Sequence, residues 1–320
     1  MVFILATPAR ADITPFYTFN RSLFAQLHGT PPLDGADTVK PGRGRLDVVT
    51  DITSHFFRQR RGNEEIRIDM ESYRSTLLWR YGLDSGLEVG LDVPFEQYNA
   101  GVLDNVIDRW HGLFGFPDGG RDKLETQRFE FNYRRNGVSV VDMHRSGAGL
   151  SDMRLIGAWR LYRGTSLPRR TISLRGSIKL NHADYRRLFG SGGYDGALSA
   201  HWQEHRVSGR HIWSWFARGG GMLLGEAEVL RKQQENVVWF STVGFGWYAL
   251  RHIELKAQLD ANSAFYRSRL TQLGSSAMQF VFGTGIRLNR HWMIDVGVAE
   301  DVFINSVPDV NFHFRLSRRI

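Results

Sequence analysis

The chain has 320 residues, of which 41 are Lys or Arg and 33 are Asp or Glu, so its formal net charge is +8. A hydrophobic fraction of 42% excludes a disordered or collagen-like chain, and the absence of cysteine excludes disulfide frameworks and thiolate chemistry. No apolar run approaches the roughly 20 residues of a membrane helix, whereas a membrane β-barrel is compatible with this composition because its strands alternate.

The first eleven residues match an export signal. Residues 2–6 are apolar, and Ala9 and Ala11 are the small residues that precede a signal-peptidase site. We therefore expect residues 1–11 to be removed and the mature chain to begin at Asp12. A buried first strand or helix is the alternative. Residues 12–42 show no strand period, and we expect them to form a plug in the lumen or to lie at its periplasmic mouth.

From residue 43 to residue 320 the dominant sequence period is two. In 253–260 apolar side chains take the odd positions and charged or amide side chains the even ones, and 172–180 and 310–316 repeat the scheme. Such alternation is typical of strands with one apolar and one polar face. We count about twelve segments: 43–57, 64–81, 86–98, 151–162, 170–181, 194–205, 210–223, 236–250, 252–266, 277–289, 291–304 and 309–318.

The connections between these segments alternate in length, as in outer-membrane barrels with short periplasmic turns and long outer loops. Seven of the nine tryptophans then fall at periplasmic strand ends, which is typical of an aromatic girdle at a membrane interface. We predict an all-β fold, a transmembrane antiparallel β-barrel of about 12 strands. A soluble lipocalin-like or sandwich fold is the alternative, since a half-solvated sheet has the same period.

The segment 64–81 has an apparent change of phase. Ile66, Ile68 and Met70 occupy even positions, whereas Leu77 and Trp79 occupy odd ones. An extra residue in one strand would absorb such a change, so we expect a β-bulge near residues 71–72.

The long connection 99–150 is expected to be extracellular and to contain two elements. The spacing of apolar residues in 104–111 predicts a short helix, and 128–143 predicts a β-hairpin closed by an Asn-Gly turn. Trp110, His111 and Arg121 are the candidates for holding a ligand in this loop. The alternative is a loop that packs on itself and blocks the barrel mouth.

Two stretches carry a family resemblance. Pro15-Phe16 and Asn20–Phe24, together with Arg109-Trp110-His111 and Phe114–Arg121, resemble the bacterial outer-membrane family called domain of unknown function 3187. Leu87–Phe95, Gly149–Asp152 and Leu180–Asp184 are similar to outer-membrane transporter barrels for hydrocarbons and phenols. Those families often have Gly-Asp and Pro-Thr-Gly-Asp where this chain has Ser151-Asp152 and 181–184. The resemblance implies the barrel form and the outer membrane as location, and implies no activity.

The inward row of the strands is the first candidate for chemistry. Charges of both signs are expected to line the lumen, either as an ion-pair network that fills it or as an arginine-weighted pore for anionic solutes. The candidate lining residues are Arg154, Arg160, Arg175, Lys179, Glu254, Lys256, Asp260, Arg287 and Arg315.

His201, Glu204 and His205 match the H-x-x-E-H pattern of zinc proteases. That chemistry needs a helix, because in a strand the two imidazoles would lie about 13 Å apart at roughly 3.3 Å per residue. The alternation of side chains in 196–202 favours a strand. We therefore predict no metal, no cofactor and no catalytic residue. Scattered basic residues argue against nucleic acid as a partner.

The sequence therefore predicts a bacterial outer-membrane barrel that acts as a narrow channel or uptake pore for an unidentified small solute. An outer-membrane enzyme acting on lipid or lipopolysaccharide, and a structural or interaction barrel, are the alternatives. The expected partners are outer-membrane lipid, lipopolysaccharide at the basic residues 58–61, and the barrel-assembly machinery, whose usual C-terminal aromatic signal is either imperfect in this chain or shifted inward to Phe314.

Overall fold

A closed antiparallel β-barrel forms the frame of the computed structural model. The structure describes residues 13–101, 129–209, 211–250, 252–302, 307–308 and 310–320. Twelve strands make the wall, and three further strands, β4 to β6, lie in the connection between β3 and β7. The prediction of an all-β barrel of about 12 strands is confirmed.

The strands begin and end close to the predicted segments. In chain order they are β1 Gly44–Arg61, β2 Glu64–Asp84, β3 Leu87–Asn99, β4 Glu130–Arg135, β5 Val138–Met143, β6 Gly147–Leu150, β7 Arg154–Arg163, β8 Arg169–Lys179, β9 Asp195–Ser208, β10 His211–Leu224, β11 Val237–Tyr248, β12 Ile253–Asn262, β13 Ala277–Arg287, β14 Trp292–Asp301 and β15 Val310–Arg319. Among the described residues three short helical turns accompany them: α1 Ala25–His28, a 3₁₀ turn Tyr185–Arg187 and α2 Thr271–Gly274. No helix among the described residues has the length and apolar content needed to cross a membrane.

Pairing of the first strand with the last closes the barrel. Ten residue pairs join β1 to β15, from Arg45 with Arg319 to Ser54 with Val310. The two ends of the barrel differ. At the turn end, where β1 begins and β15 ends, the connections have two to five residues. At the loop end most connections are longer, such as the 15 residues between β8 and β9.

Alternation sorts the side chains into an apolar outer face and a mostly polar inner face. Seven tryptophans lie on the outer face in the half of their strands nearest the turn end. They are Trp79, Trp159, Trp202, Trp213, Trp215, Trp247 and Trp292. Amphipathic rings in one layer are typical of a membrane interface. The layer therefore marks one boundary of the apolar band.

The predicted bulge near residues 71–72 is wrong. β1 and β2 stay in continuous register from Gly44 with Tyr81 to Arg61 with Glu64, and β2 shifts register only between Gly82 and Asp84. Ile66, Ile68 and Met70 point inward in the same phase as Leu78 and Arg80. The apparent change of phase arose because the inner face becomes apolar near the loop end.

An apolar core fills the barrel near the loop end. The inward side chains of β2, β10 and β11 meet the loops 224–230 and 265–273 there, and β4 packs against them with Phe131 and Tyr133. Leu23, Phe24 and Leu27 of the N-terminal segment enter this core. The Asn136-Gly137 turn, with positive φ at both residues, joins β4 to β5 in a hairpin.

The N-terminal segment, residues 13–43, lies inside the barrel. An ascending limb (13–22) runs from the turn end along β12, the tip (23–28) sits in the apolar core, and a descending limb (29–43) returns to the turn end. Near its exit, Pro41 bridges to Gly82. A Cβ at Gly82 would lie 2.3 Å from the Lys40 carbonyl oxygen, so only glycine permits this close passage.

Candidate functional site in the barrel interior

The interior face of the wall carries charges that meet the N-terminal segment. Arg175 donates to Glu88 at 2.8 Å and to the carbonyl oxygens of Gly35 and Asp37 at 2.9 and 3.0 Å. Arg160 pairs with Asp37 at 2.8 Å. Arginines of the wall thus bind both the backbone and a side chain of the descending limb.

Asp34 is a buried carboxylate of the descending limb that contacts two arginines of the wall. Arg45 lies 2.5 Å and Arg80 3.4 Å from the same oxygen, Oδ2. Burial by itself would raise the pKa of Asp34, but the surrounding guanidinium groups of Arg45, Arg175, Arg80 and Arg315 hold it well below its usual range. The carboxylate therefore stays charged and anchors the descending limb close to the turn end.

A second network lies higher in the barrel, around Lys179. Its Nζ contacts Asp152 at 2.6 Å and Asp195 at 3.3 Å. Asp195 also lies 3.0 Å from Nδ1 of His28, whose Nε2 is 3.1 Å from the Tyr266 hydroxyl. This chain of contacts ties the tip of the N-terminal segment to the wall.

On the opposite side, β12 supports the ascending limb. Lys256 donates to Asp295 at 2.6 Å and to the Thr14 carbonyl at 3.0 Å, and Glu254 lies 3.4 Å from the same Nζ. Asp260 accepts from the Thr18 hydroxyl at 2.7 Å. Three even positions of β12, Lys256, Gln258 and Asp260, therefore bind the limb that faces them.

Two interior guanidinium groups have no carboxylate partner among the described residues. Arg154 donates to the carbonyl oxygens of His28 and Gly29 at 3.1 and 2.5 Å, and to Ser177 at 3.4 Å. Arg218 donates to the Pro31 carbonyl and to Thr242. Both cations thus depend on backbone oxygens of the N-terminal segment for part of their hydrogen bonding.

The remaining predicted lining residues also point inward. Arg315 pairs with Asp47 at 2.7 Å, and Arg287 donates to the Tyr248 hydroxyl near the turn end. All nine predicted lining residues therefore face the interior, where they contact the N-terminal segment or other side chains of the barrel interior. Trp110, His111 and Arg121, like the predicted helix at 104–111 and the signal segment 1–11, lie outside the described residues.

Little free volume remains between the segment and the wall. A cavity of about 30 Å³ lies beside the tip, lined by residues that include Tyr17, Arg74, Asp92 and Arg154. A water molecule needs about 10–15 Å³ of such volume, so this cavity has room for about two. In this state the N-terminal segment occupies the space that a solute would need there.

Sequence reasoning did not identify the contacts of the N-terminal segment. Tyr17, Arg21, His28 and Asp34 are buried and bind wall residues. The available signal was a stretch with aromatic and charged residues and no strand period, which is unusual for a solvated linker. Their partners on the wall follow only from the three-dimensional arrangement.

The H-x-x-E-H match has no metal-binding geometry. His201 and His205 point inward from β9, whereas Glu204 lies on the outer face between Arg170 and Arg206. His201 contacts the Ser199 hydroxyl at 2.9 Å and the Asp34 carbonyl at 3.1 Å. The described residues contain no group of three metal-ligating side chains.

The motifs 151–152 and 181–184 meet at a gap in the wall. β6 and β7 are separated by residues 151–153, and the Asp152 carboxylate accepts from the backbone N–H groups of His182 and Ala183 at 3.2 and 2.9 Å. The Met153 N–H donates to Nε2 of His182 at 3.1 Å. At this gap the side chains of Asp152 and His182 accept hydrogen bonds from backbone N–H groups that have no partner in the interrupted strand pairing.

Residues 3–320 match a family model described as "Protein of unknown function (DUF3187)". The chain belongs to this family. The predicted resemblance is thereby confirmed over almost the whole sequence. No curated protein matches the chain.

The fold is similar to solved outer-membrane barrels. The COG4313 outer membrane channel from Pseudomonas putida F1 has a TM-score of 0.58 at 11% identity, covering 89% of this chain and 98% of that one. The NanC porin has a TM-score of 0.44 at 8% identity, covering 85% and 97%. The P. putida toluene transporter TodX has a TM-score of 0.32 at 10% identity, covering 87% of each chain. The first likeness shows that the two chains share the β-barrel fold.

Proposed function

We propose that this DUF3187 chain is a bacterial outer-membrane channel for small polar solutes, closed in this structure by its N-terminal segment. The observation that carries the proposal is the dependence of wall cations on that segment. Arg154, Arg175, Arg218 and Lys256 each donate to its backbone carbonyls. Withdrawal of the segment would free these donors along one polar path, and an anionic solute could replace the carbonyl oxygens.

The path of the segment supports reversible closure. Both of its limbs reach the turn end, so it can leave the barrel there without threading through the wall. The similarity to the COG4313 channel supports transport as the role, and the short turns support a periplasmic turn end. The alternative is a structural barrel that holds a permanent ion-pair network. The disulfide experiment distinguishes this alternative from a channel.

The same arrangement supports a proposal for the location and the partners. With the turn end in the periplasm, the loop end faces the cell exterior, where Arg60 and Arg61 are exposed at the tip of β1. Guanidinium groups bind phosphates well, so we propose lipopolysaccharide as the neighbour at this tip. We further propose that the barrel-assembly machinery inserts the chain, and that Phe314 on β15 belongs to its assembly signal.

An introduced disulfide tests the closure directly, because the native chain has no cysteine. A Cβ at Gly246 would lie 3.6 Å from Cβ of Ile13, within the range of disulfides. The matched control is Gly44 with Ile320, whose Cβ atoms would lie 3.7 Å apart and which leaves the segment unlinked. Both double-cysteine variants are reconstituted in planar bilayers and recorded with and without reductant.

We expect oxidation of Ile13→Cys/Gly246→Cys to suppress channel openings and reduction to restore them. Oxidation of Gly44→Cys/Ile320→Cys should leave openings unchanged. Equal conductance of the locked and reduced protein would show that the path does not open by withdrawal of the ascending limb. Absence of conductance and of solute uptake in every state would exclude the channel and favour the structural barrel.

A further inference from the structure

A cationic patch lies on the outer face of the barrel at the turn end. Arg170 on β8 is the cross-strand partner of Glu204 on β9, and Arg206 follows on the same face of β9. Trp215 and Trp213 on β10 are the cross-strand partners of Glu204 and Arg206. These five residues form what we call the Arg170–Arg206 patch.

One carboxylate holds both guanidinium groups of the patch. Nε of Arg170 donates to Glu204 Oε2 at 2.6 Å, and Nε of Arg206 donates to Oε1 at 2.5 Å. The arginine side chains are 57% and 59% exposed, whereas that of Glu204 is 5% exposed. The terminal nitrogens of both arginines have no hydrogen-bond partner within the described part of the chain. Two fixed cations on one anion leave a net positive charge with free donors.

The depth of the patch matches that of lipid headgroups. The next outward pair from Arg170 and Glu204, further into the apolar band, is Ile172 with Trp202. Trp213 stacks on Trp247 with ring centroids 5.3 Å apart, beside Arg206. Tryptophan rings prefer the headgroup level of a bilayer. The free guanidinium donors therefore lie where lipid phosphates are found.

The surrounding rim favours lipids with net negative charge. Exposed cations surround the turn end, while Asp84 is the one exposed side-chain carboxylate that the described residues place there. The exposed cations are Lys40, Arg43, Arg163, Arg170, Arg206, Arg290, Arg318 and Arg319. A zwitterionic headgroup would bring its ammonium group into this positive field, whereas an anionic headgroup would not.

We propose that the Arg170–Arg206 patch binds the phosphate of an anionic phospholipid, such as phosphatidylglycerol, in the leaflet around the turn end. Glu204 fixes the two guanidinium groups side by side, and their free terminal nitrogens donate to the phosphate oxygens. The paired geometry suits arginine, whose planar fork binds phosphate in a bidentate manner. The patch faces the lipid and not the lumen, so this proposal is independent of solute transport.

The test measures the lipids that stay bound to the intact barrel. Purified protein is reconstituted in bilayers of phosphatidylethanolamine with one fifth phosphatidylglycerol, extracted in mild detergent, and analysed by native mass spectrometry. The variant is Arg170→Gln/Arg206→Gln. The matched control, Arg43→Gln/Arg290→Gln, removes the same charge from exposed positions of the same rim, outside the patch.

We expect the native chain and the control to retain phosphatidylglycerol about tenfold above its share, as one charge-assisted hydrogen-bonded contact implies. Arg170→Gln/Arg206→Gln should lose this enrichment, and Arg170→Lys/Arg206→Lys, which keeps the charge without the fork, should lose most of it. No enrichment in the native chain, or equal loss in the control, would overturn the proposal. Heat-modifiable gel migration verifies folding, and the lysine variant serves if the glutamine variant does not fold.

Discussion

Truncation of Phe24 is expected to release the tip of the N-terminal segment from the apolar core. Phe24 is 3% exposed and makes edge contacts with Phe131, Tyr133 and Tyr266 at centroid distances of 5.2, 5.9 and 5.9 Å. These rings belong to the β4–β5 hairpin and to the loop after β12. The tip is therefore the point at which the segment is joined to the loop end.

The size of the effect follows from burial. Replacing a buried Phe by Ala costs about 3–5 kcal/mol, of which aromatic pairs supply about 0.5–1.5 kcal/mol each. The substitution leaves the undocked state unaffected, because Phe24 is already solvated there. It therefore destabilises only the docked state. A loss of about 3 kcal/mol raises the undocked population by about a hundredfold.

A cysteine at position 22 reports undocking. Ser22 is 3% exposed and its hydroxyl has no hydrogen-bond partner within the described residues, so Ser22→Cys removes no side-chain hydrogen bond. The labelling rate of Cys at this site by a maleimide measures how often the tip leaves the core. We expect Phe24→Ala to raise this rate by about a hundredfold, as the shift in population implies.

The control is Phe280→Ala, which removes an equal side chain from the lipid-facing surface of β13, where Phe280 is 39% exposed. It should leave labelling at position 22 unchanged. Equal rates in Phe24→Ala and Phe280→Ala would refute the view that the core retains the tip. The same view would be refuted if labelling were faster only in samples in which gel migration shows that the whole barrel is unfolded.

Three further outcomes are expected. Asp152→Asn weakens the hydrogen bonds that Asp152 accepts from Lys179 and from the N–H groups of 182–183, which should destabilise the fold by about 1–3 kcal/mol and lower the temperature of heat-modifiable unfolding. An unchanged temperature would contradict a stabilising role of Asp152 at the gap in the wall. Burial raises the pKa of Tyr133 to about 12, so the folded state holds this proton longer than the unfolded state; the stability contributed by this group should be full below pH 10 and decline toward pH 12, and thermal melts of Tyr133→Phe should show a smaller decline than those of the native chain, whereas an equal decline would contradict the assignment. Arg175→Glu places two carboxylates together at Glu88 and should increase channel opening and shift the reversal potential in a salt gradient toward cations, whereas an unchanged current would exclude Arg175 from the path.

The two levels of the interior suggest how opening and closure are balanced. Near the turn end the segment is held by hydrogen bonds and ion pairs to charged wall residues such as Arg80 and Arg175. Near the loop end it is held by apolar packing of Leu23, Phe24 and Leu27. Water can replace the polar contacts at modest cost, but not the apolar ones. The tip is therefore expected to set the energy needed to open the barrel.

The strand pattern could be derived from the sequence because it is local. Side chains alternate at every second residue, so Ile253 through Asp260 already separate the lipid face from the interior face of β12. The same reasoning located all twelve wall strands and the inward direction of residues such as Arg175 and Lys179. The short turns and the tryptophan layer also follow from positions along the chain alone.

The contents of the barrel were decided by tertiary structure. Arg315 meets Asp47 across 268 residues of sequence, and Phe16 meets Gln258 across 242, which no local pattern reveals. The continuous phase of β2 was misread because Ile66 and Met70 face an apolar core built from distant loops and the tip of the N-terminal segment. Alternation specifies which face a residue occupies, whereas the chemistry on that face depends on what the closed barrel brings against it.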